Sequence, residues 1–264
     1  MTVNALDFRR RKNDGEKISM TTCYDYWSAR ILSDTSIDAI LVGDSAAMVM
    51  HGRPSTLPAT TDLMALHTEA VARGAPEKFL IADMPFLSFR KGLKPAMDNV
   101  EALIHAGANA VKLEGIDGIE DVIERIVLAG VPVMGHLGLT PQTVNRLGGF
   151  KVQGRSKKSA AQLVDQAKRV DDTGCFSMVL ECVPVDTAKQ ITAAVAIPTI
   201  GIGAGPHCDG QVLVLHDLVG FNRDFHPKFV KAYEDGFDLV QRAVNTFDRE
   251  TKEGSFPTDA QSYS

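Results

Sequence analysis

Ala39-Ile40-Leu41-Val42-Gly43 ends on Asp44, and this short apolar run closed by a carboxylate sets the pattern for much of the chain. The run is short, and it has no alternating polar face. It reads as a strand buried on both sides. The pattern recurs further along. Phe79-Leu80-Ile81-Ala82 ends on Asp83, and Ala110-Val111 leads into Lys112-Leu113-Glu114. Val131-Pro132-Val133-Met134-Gly135 ends on His136, and Ser177-Met178-Val179-Leu180 ends on Glu181. A closed parallel α/β barrel builds its site at the C-terminal ends of its strands. These scattered polar residues are therefore expected to gather into one oxygen-rich cluster.

Strands are also expected near 18–22, 198–201 and 211–215, which brings the number to eight. Helical patterns fall between the strands, over 26–34, 61–73, 94–105, 116–129, 156–173 and 186–194. Several stop at a glycine: Gly74, Gly107, Gly130 and Gly174. Strands alternating with helices, with no linker or composition shift, argue for βαβ units and a parallel sheet. A single (β/α)8 TIM barrel over residues 1–264 is the expected fold, since about 250 residues is typical of one. An open doubly wound sheet is the rival architecture. The stretch 227–249 is long, amphipathic and opens on proline, so it is expected as a C-terminal helical extension. It would close the barrel or contact another subunit. The first residues and 254–264 read as polar, mobile ends.

The net charge of −5 offers no general attraction to nucleic acid or to an anionic membrane surface. No apolar run approaches the ~20 residues of a membrane span. Cys23, Cys175, Cys182 and Cys208 form no CxxC pair and show no metal-ligand spacing. With no secretory signal, they read as reduced thiols of a cytoplasmic protein.

The chemistry begins with Asp44, Asp83 and Glu114, each at the end of a buried strand. Three carboxylates meeting without a counterion repel one another, and a divalent cation resolves the conflict. Oxygen ligands without His or thiolate neighbours suit Mg²⁺, which keeps several waters free for exchange with a substrate. The alternative is that these are ordinary solvated acids. Lys112 and Glu114 are two residues apart in a strand, so they share a face. Lys112 can hold a substrate carboxylate, stabilise an enolate oxygen, form a Schiff base or simply pair with Glu114. Glu181, after an apolar strand, suits a general base; a buried structural glutamate is the other reading. A neutral His136 can donate to a substrate oxygen, or be structural. Ser45 can offer a hydroxyl or backbone N–H to an anion. The turn Gly201-Ile202-Gly203-Ala204-Gly205 can cradle a phosphate or let backbone approach a ligand. The loop from Gly148 to Arg155 reads as a lid or a surface connection.

Together these segments resemble the ketopantoate hydroxymethyltransferase family over about residues 20–233. The resemblance rests on Thr22-Cys23-Tyr24-Asp25-Tyr26, Leu41-Val42-Gly43-Asp44-Ser45, Ser55-Thr56-Leu57-Pro58 and Asp83-Met84-Pro85-Phe86. It rests equally on Val111-Lys112-Leu113-Glu114-Gly115, on Gly135-His136-Leu137-Gly138-Leu139-Thr140-Pro141-Gln142 and on Lys151-Val152-Gln153-Gly154-Arg155. Leu180-Glu181-Cys182-Val183-Pro184, the Gly201–Gly205 turn and Asp209-Gly210-Gln211 complete it. It implies a barrel with Mg²⁺ and 5,10-methylenetetrahydrofolate as one-carbon donor to 3-methyl-2-oxobutanoate. It implies Asp44 and Asp83 as metal acids, with Glu114 acting partly through water. It implies Asp44, Ser45, Asp83 and Lys112 as oxo-acid contacts and Glu181 as proton acceptor. Large homo-oligomers, often decamers, are the implied assembly. Two departures stand out: Ala46-Ala47 replaces an expected Leu-Gly, and Pro54 replaces a polar residue. They bear on the loop after Asp44.

The expected mechanism is metal-assisted enolisation of the oxo acid, with Glu181 removing the C3 proton, followed by attack on the folate methylene group. A folate-independent lyase or aldolase on another 2-oxo acid is the competing enzyme. A non-catalytic small-anion binder is the reading from another class, and it has no use for Glu181.

Overall fold

A computed structural model describes residues 3–223 and 227–263. Two compact units divide the chain, residues 1–213 and 214–264. The first holds eight strands: β1 Ile18–Thr22, β2 Ala39–Val42, β3 Phe79–Asp83, β4 Ala110–Glu114, β5 Val133–Gly138, β6 Ser177–Glu181, β7 Thr199–Ile202 and β8 Gly210–Leu213. Each pairs in parallel with the next, and β8 pairs with β1, so the barrel closes. The open-sheet alternative is thereby removed. The first unit also contains α1 Ala5–Asp14, α2 Tyr26–Ser33, α3 Ala46–Val49, α4 Thr61–Gly74, α5 Leu93–His105, α6 Glu120–Leu128, α7 Val144–Leu147, α8 Lys157–Asp172 and α9 Val185–Ala194.

Strand periodicity decides what faces inward. The barrel interior is packed with Ile18, Met20, Ala39, Leu41, Phe79, Ile81, Ala110, Met134, Val179, Ile200 and Val212. Two residues further along the same strands, the same face carries Asp83, Lys112, His136 and Glu181, and β4 adds Glu114 two residues beyond Lys112. The interior is thus apolar below and charged above. Register makes neighbours of the charged residues: Asp83 lies opposite Lys112, Glu114 opposite His136, and Gly138 opposite Glu181. The strand β5 begins two residues later than expected, after Pro132, so His136 sits inside the strand rather than past its end.

The N-terminal residues depart from the expected mobile tail. Asn4 and Asp7 form a capping box, and Gly15 ends α1 in the left-handed region. Phe8, fully buried, enters the barrel floor edge-on to Phe176, with ring centroids 5.1 Å apart, and lies 5.8 Å from Phe79. Phe79 opens β3 and Phe176 precedes β6, so this plug lies at the end opposite the charged cluster. Lys12 fastens α1 further: its ammonium donates to the carbonyls of Thr192, Val195 and Ile197. That places a cation at the C-terminal end of α9.

The second unit contains α10 Leu215–Leu218 and α11 Gly236–Glu253. The helix expected over 227–249 starts nine residues later. Pro227 opens a turn closed by Val230 N–H, and the helix waits for Asp235, whose side chain accepts from Asp238 N–H. The tail expected to be mobile is capped by Gly254 and carries a 3₁₀ turn at Asp259–Gln261; Ser264 and the first two residues lie outside the described residues. Among the described residues no helix is long and apolar enough to cross a membrane.

Candidate active site

The barrel brings Asp44, Asp83, Lys112, Glu114, His136 and Glu181 to one end. All but Glu181 are buried, and its side chain retains 19% of its accessible surface at the rim. Glu181 is therefore half-buried, unlike the buried structural glutamate that was its other reading. Asp44 lies in the turn after β2, where its backbone N–H donates to Asp83 Oδ2 at 3.0 Å. Asp83 Oδ1 stands 2.9 Å from Lys112 Nζ, within ion-pair range, with no aligned hydrogen bond. The lysine's ion-pair partner is thus Asp83 across the strands, not Glu114 along its own strand. His136 lies between two acids, its Nδ1 3.5 Å from Glu114 Oε1 and its Nε2 3.3 Å from Glu181 Oε2.

Low dielectric and crowding of like charge set the protonation states. Burial and the charges of Asp83 and Glu114 lift the Asp44 carboxyl well above the usual carboxylate range. Burial pulls the Lys112 ammonium down, but Asp83, Glu114 and Asp44 outweigh it and hold Lys112 charged. Burial and Lys112 also oppose a charge on His136. Glu114 and Glu181 prevail, and its pKa rises to about 9. The two acids thus favour the protonated imidazole, while the Lys112 ammonium, 3.3 Å from Nδ1, opposes it. A charged Lys112 is also a poor Schiff-base nucleophile.

Gly43 lets Ser45 and Asp83 pack closely against the turn after β2. A Cβ there would meet Ser45 Oγ at 2.8 Å and Asp83 Oδ2 at 3.6 Å. The Ser45 hydroxyl is 2.8 Å from the buried Tyr24 hydroxyl. The Ala46-Ala47 departure folds as the start of α3, with both alanines buried, and Ala47 N–H donates to Asp44 O at 3.0 Å. Gly138, at φ 92°, lets β5 approach β6. A Cβ would come within 2.3 Å of the Glu181 carbonyl, which accepts from Leu139 N–H. Cys182, the next residue, holds a left-handed φ of 49°.

The loop from Gly148 to Arg155 is tied beside this corner: Gln153 N–H donates to Cys182 O, and Thr187 Oγ1 donates to Gly154 O. The Gly201–Gly205 turn meets protein: a Cβ on Gly205 would strike Val185, and its carbonyl accepts from Gln211.

One buried residue went unassigned in the sequence reading. The Gln142 side chain donates to Asp44 Oδ2 and to Met84 O, both at 2.9 Å, and its backbone N–H donates to Glu114 Oε2 at 3.0 Å. It lay inside a quoted motif, yet a neutral amide carries no charge or nucleophile to draw notice.

The donor set can be tested against a cation. Four acids face one lysine and one histidine, so acidic groups are in excess, and Asp83 Oδ1 has only its lysine. No three of the described His, Cys, Asp and Glu side chains form a ready cage. Glu114 is engaged by Gln142 and His136. Asp44 and Asp83, joined by one hydrogen bond, present oxygen donors of the kind that suits a hard cation.

A closed barrel with acids, a lysine and a histidine at the C-terminal ends of its strands defines an enzyme acting on a small anion. Residues 2–259 match the family described as ketopantoate hydroxymethyltransferase. The chain belongs to that family. It is 57% identical over 259 residues to the 3-methyl-2-oxobutanoate hydroxymethyltransferase of Bdellovibrio bacteriovorus, covering 98% of each chain. It is 55% identical to the protein of that name from Coxiella burnetii (strain CbuG_Q212), covering 97% of each. Among solved structures, 2,3-dimethylmalate lyase, a PEP mutase/isocitrate lyase superfamily member, superposes with a TM-score of 0.61 at 16% identity, covering 100% of this chain and 93% of that one. Phosphonopyruvate hydrolase in complex with oxalate and Mg²⁺ gives 0.62 at 13%, covering 99% and 92%. At those identities the likeness establishes the fold alone.

Proposed function

We propose that this protein transfers a hydroxymethyl group from 5,10-methylenetetrahydrofolate to 3-methyl-2-oxobutanoate, forming ketopantoate in the cytoplasmic synthesis of pantothenate. One observation carries the mechanism: a rim carboxylate, Glu181, stands 3.3 Å from His136 above the buried Lys112–Asp83 ion pair. Lys112 and His136 supply the positive charge that a carboxylate and a developing enolate require. Ser45, whose hydroxyl lies 2.8 Å from that of Tyr24, would offer a hydrogen-bond donor to the substrate's oxygens. Glu181 takes the C3 proton on the carboxylate oxygen not facing His136, and the resulting carbon nucleophile bonds to the folate's methylene carbon; one water supplies the hydroxyl oxygen as both carbon–nitrogen bonds break, and tetrahydrofolate leaves with the protons on its nitrogens. Asp44 and Asp83 would hold Mg²⁺, with Glu114 reaching it through water; when bound, the ion supplies Lewis acidity at the keto oxygen.

The four free thiols accord with a cytoplasmic setting. The apolar side chains that α11 exposes, among them Leu239, Val244 and Phe247, support a homo-oligomer such as a decamer.

The test is product formation from 3-methyl-2-oxobutanoate with and without the folate donor, and with Mg²⁺ or EDTA. Ketopantoate that requires both supports the reading. Folate-independent turnover of the oxo acid would replace it with a lyase.

A further inference from the structure

The residue that joins the acids of the cluster is Gln142, only 5% exposed and itself uncharged. An amide nitrogen has two hydrogens, and Gln142 uses them on Asp44 Oδ2 and Met84 O. The Met84 carbonyl fixes the orientation of the amide, since a flipped group would set oxygen against oxygen. Met84 is fixed in turn by its own N–H, which donates to Lys112 O at 2.9 Å. The Gln142 backbone belongs to the 3₁₀ turn Pro141–Thr143, closed by Thr143 N–H on Thr140 O. From that turn its N–H engages Glu114 Oε2. Gln142 thereby engages one oxygen of Asp44 and one of Glu114. Because it adds no positive charge, it orders these acids without neutralising them.

We propose that Gln142 is a positioning residue that aims Asp44 at a divalent cation, setting affinity for the ion. This rests on the metal reading above. Outer partners of metal-bound carboxylates typically alter affinity by about 10- to 100-fold when removed. Gln142→Met keeps the length of the side chain and the backbone N–H to Glu114, and deletes only the donors to Asp44 and Met84.

The experiment is calorimetric titration of the full chain with Mg²⁺ alone, wild type against Gln142→Met, with urea stability measured on both. The expected result is a Kd for Mg²⁺ raised about 10- to 100-fold, with kcat largely restored at saturating Mg²⁺ and the oxo-acid KM little changed. Lower stability with an unchanged Kd would show a merely structural amide and overturn the proposal. Wild-type protein that binds no Mg²⁺ would remove the metal reading and this inference together. If Gln142→Met does not fold, Gln142→Asn, whose amide falls one methylene short of Asp44, is judged by the same Kd criterion.

Discussion

Replacing Lys112 by methionine removes the cation of a buried ion pair and leaves its acids in place. Lys112 and Asp83 are both almost fully buried, 2.9 Å apart, with Glu114 and Asp44 adding negative charge nearby. Methionine fills most of the same volume, so the packing loss is small. The dominant cost is an uncompensated buried charge, which is worth about 3–5 kcal/mol when one partner of such a pair is deleted. In a protein of this size each kcal/mol moves Tm by roughly 2–4 °C, so a fall of about 6–20 °C follows. The assay is urea denaturation in EDTA, on wild type, Lys112→Met, Asp83→Asn and the double variant. Asp83→Asn in the Lys112→Met background should recover a large part of the loss, giving a coupling energy well above 1 kcal/mol. Mg²⁺ should also restore part of it, by supplying charge where the ammonium stood. A Lys112→Met variant within about 1 kcal/mol of wild type, with no coupling to Asp83, would refute the picture of an over-acidic cluster balanced by that lysine.

Other consequences can be measured directly. Phe8→Ala should cost about 3–5 kcal/mol in urea denaturation yet leave kcat near wild type at low temperature, because the plug and the charged cluster lie at opposite ends of the barrel. His136 has a folded pKa near 9 against an ordinary 6.5, so its stabilising contribution is complete below pH 6.5 and is lost as pH rises through 9. Metal-free wild type should therefore lose more stability than His136→Asn between pH 6 and 10. Cys182→Gly should match or exceed wild-type stability by up to about 1 kcal/mol, since it relieves a left-handed residue, whereas Cys182→Val should fall below it.

The sequence carried the barrel well because buried parallel strands are written as apolar runs, and β2, β3 and β6 differ from their expected spans by at most a residue. The charged residues at those strand ends were legible for the same reason. Their partners were not. That Lys112 pairs with Asp83 depends on cross-strand register, which no single strand encodes. The upward shift of the His136 pKa depends on Glu114 and Glu181 arriving from two other strands. The helix α1 was missed because Phe8 is its only buried residue, leaving too little apolar period to read. Its capping box at Asn4 and Asp7 was the available signal. Pro227 misled in the other direction, as a proline opens turns as readily as helices.

The most direct test follows the C3 proton of 3-methyl-2-oxobutanoate in D₂O by NMR, with Mg²⁺ and tetrahydrofolate present, using wild type and Glu181→Gln. The account predicts exchange by the wild type that EDTA suppresses, and a rate about 10²- to 10⁴-fold lower in the folded variant. Exchange by Glu181→Gln at the wild-type rate, or none by the wild type, would contradict it.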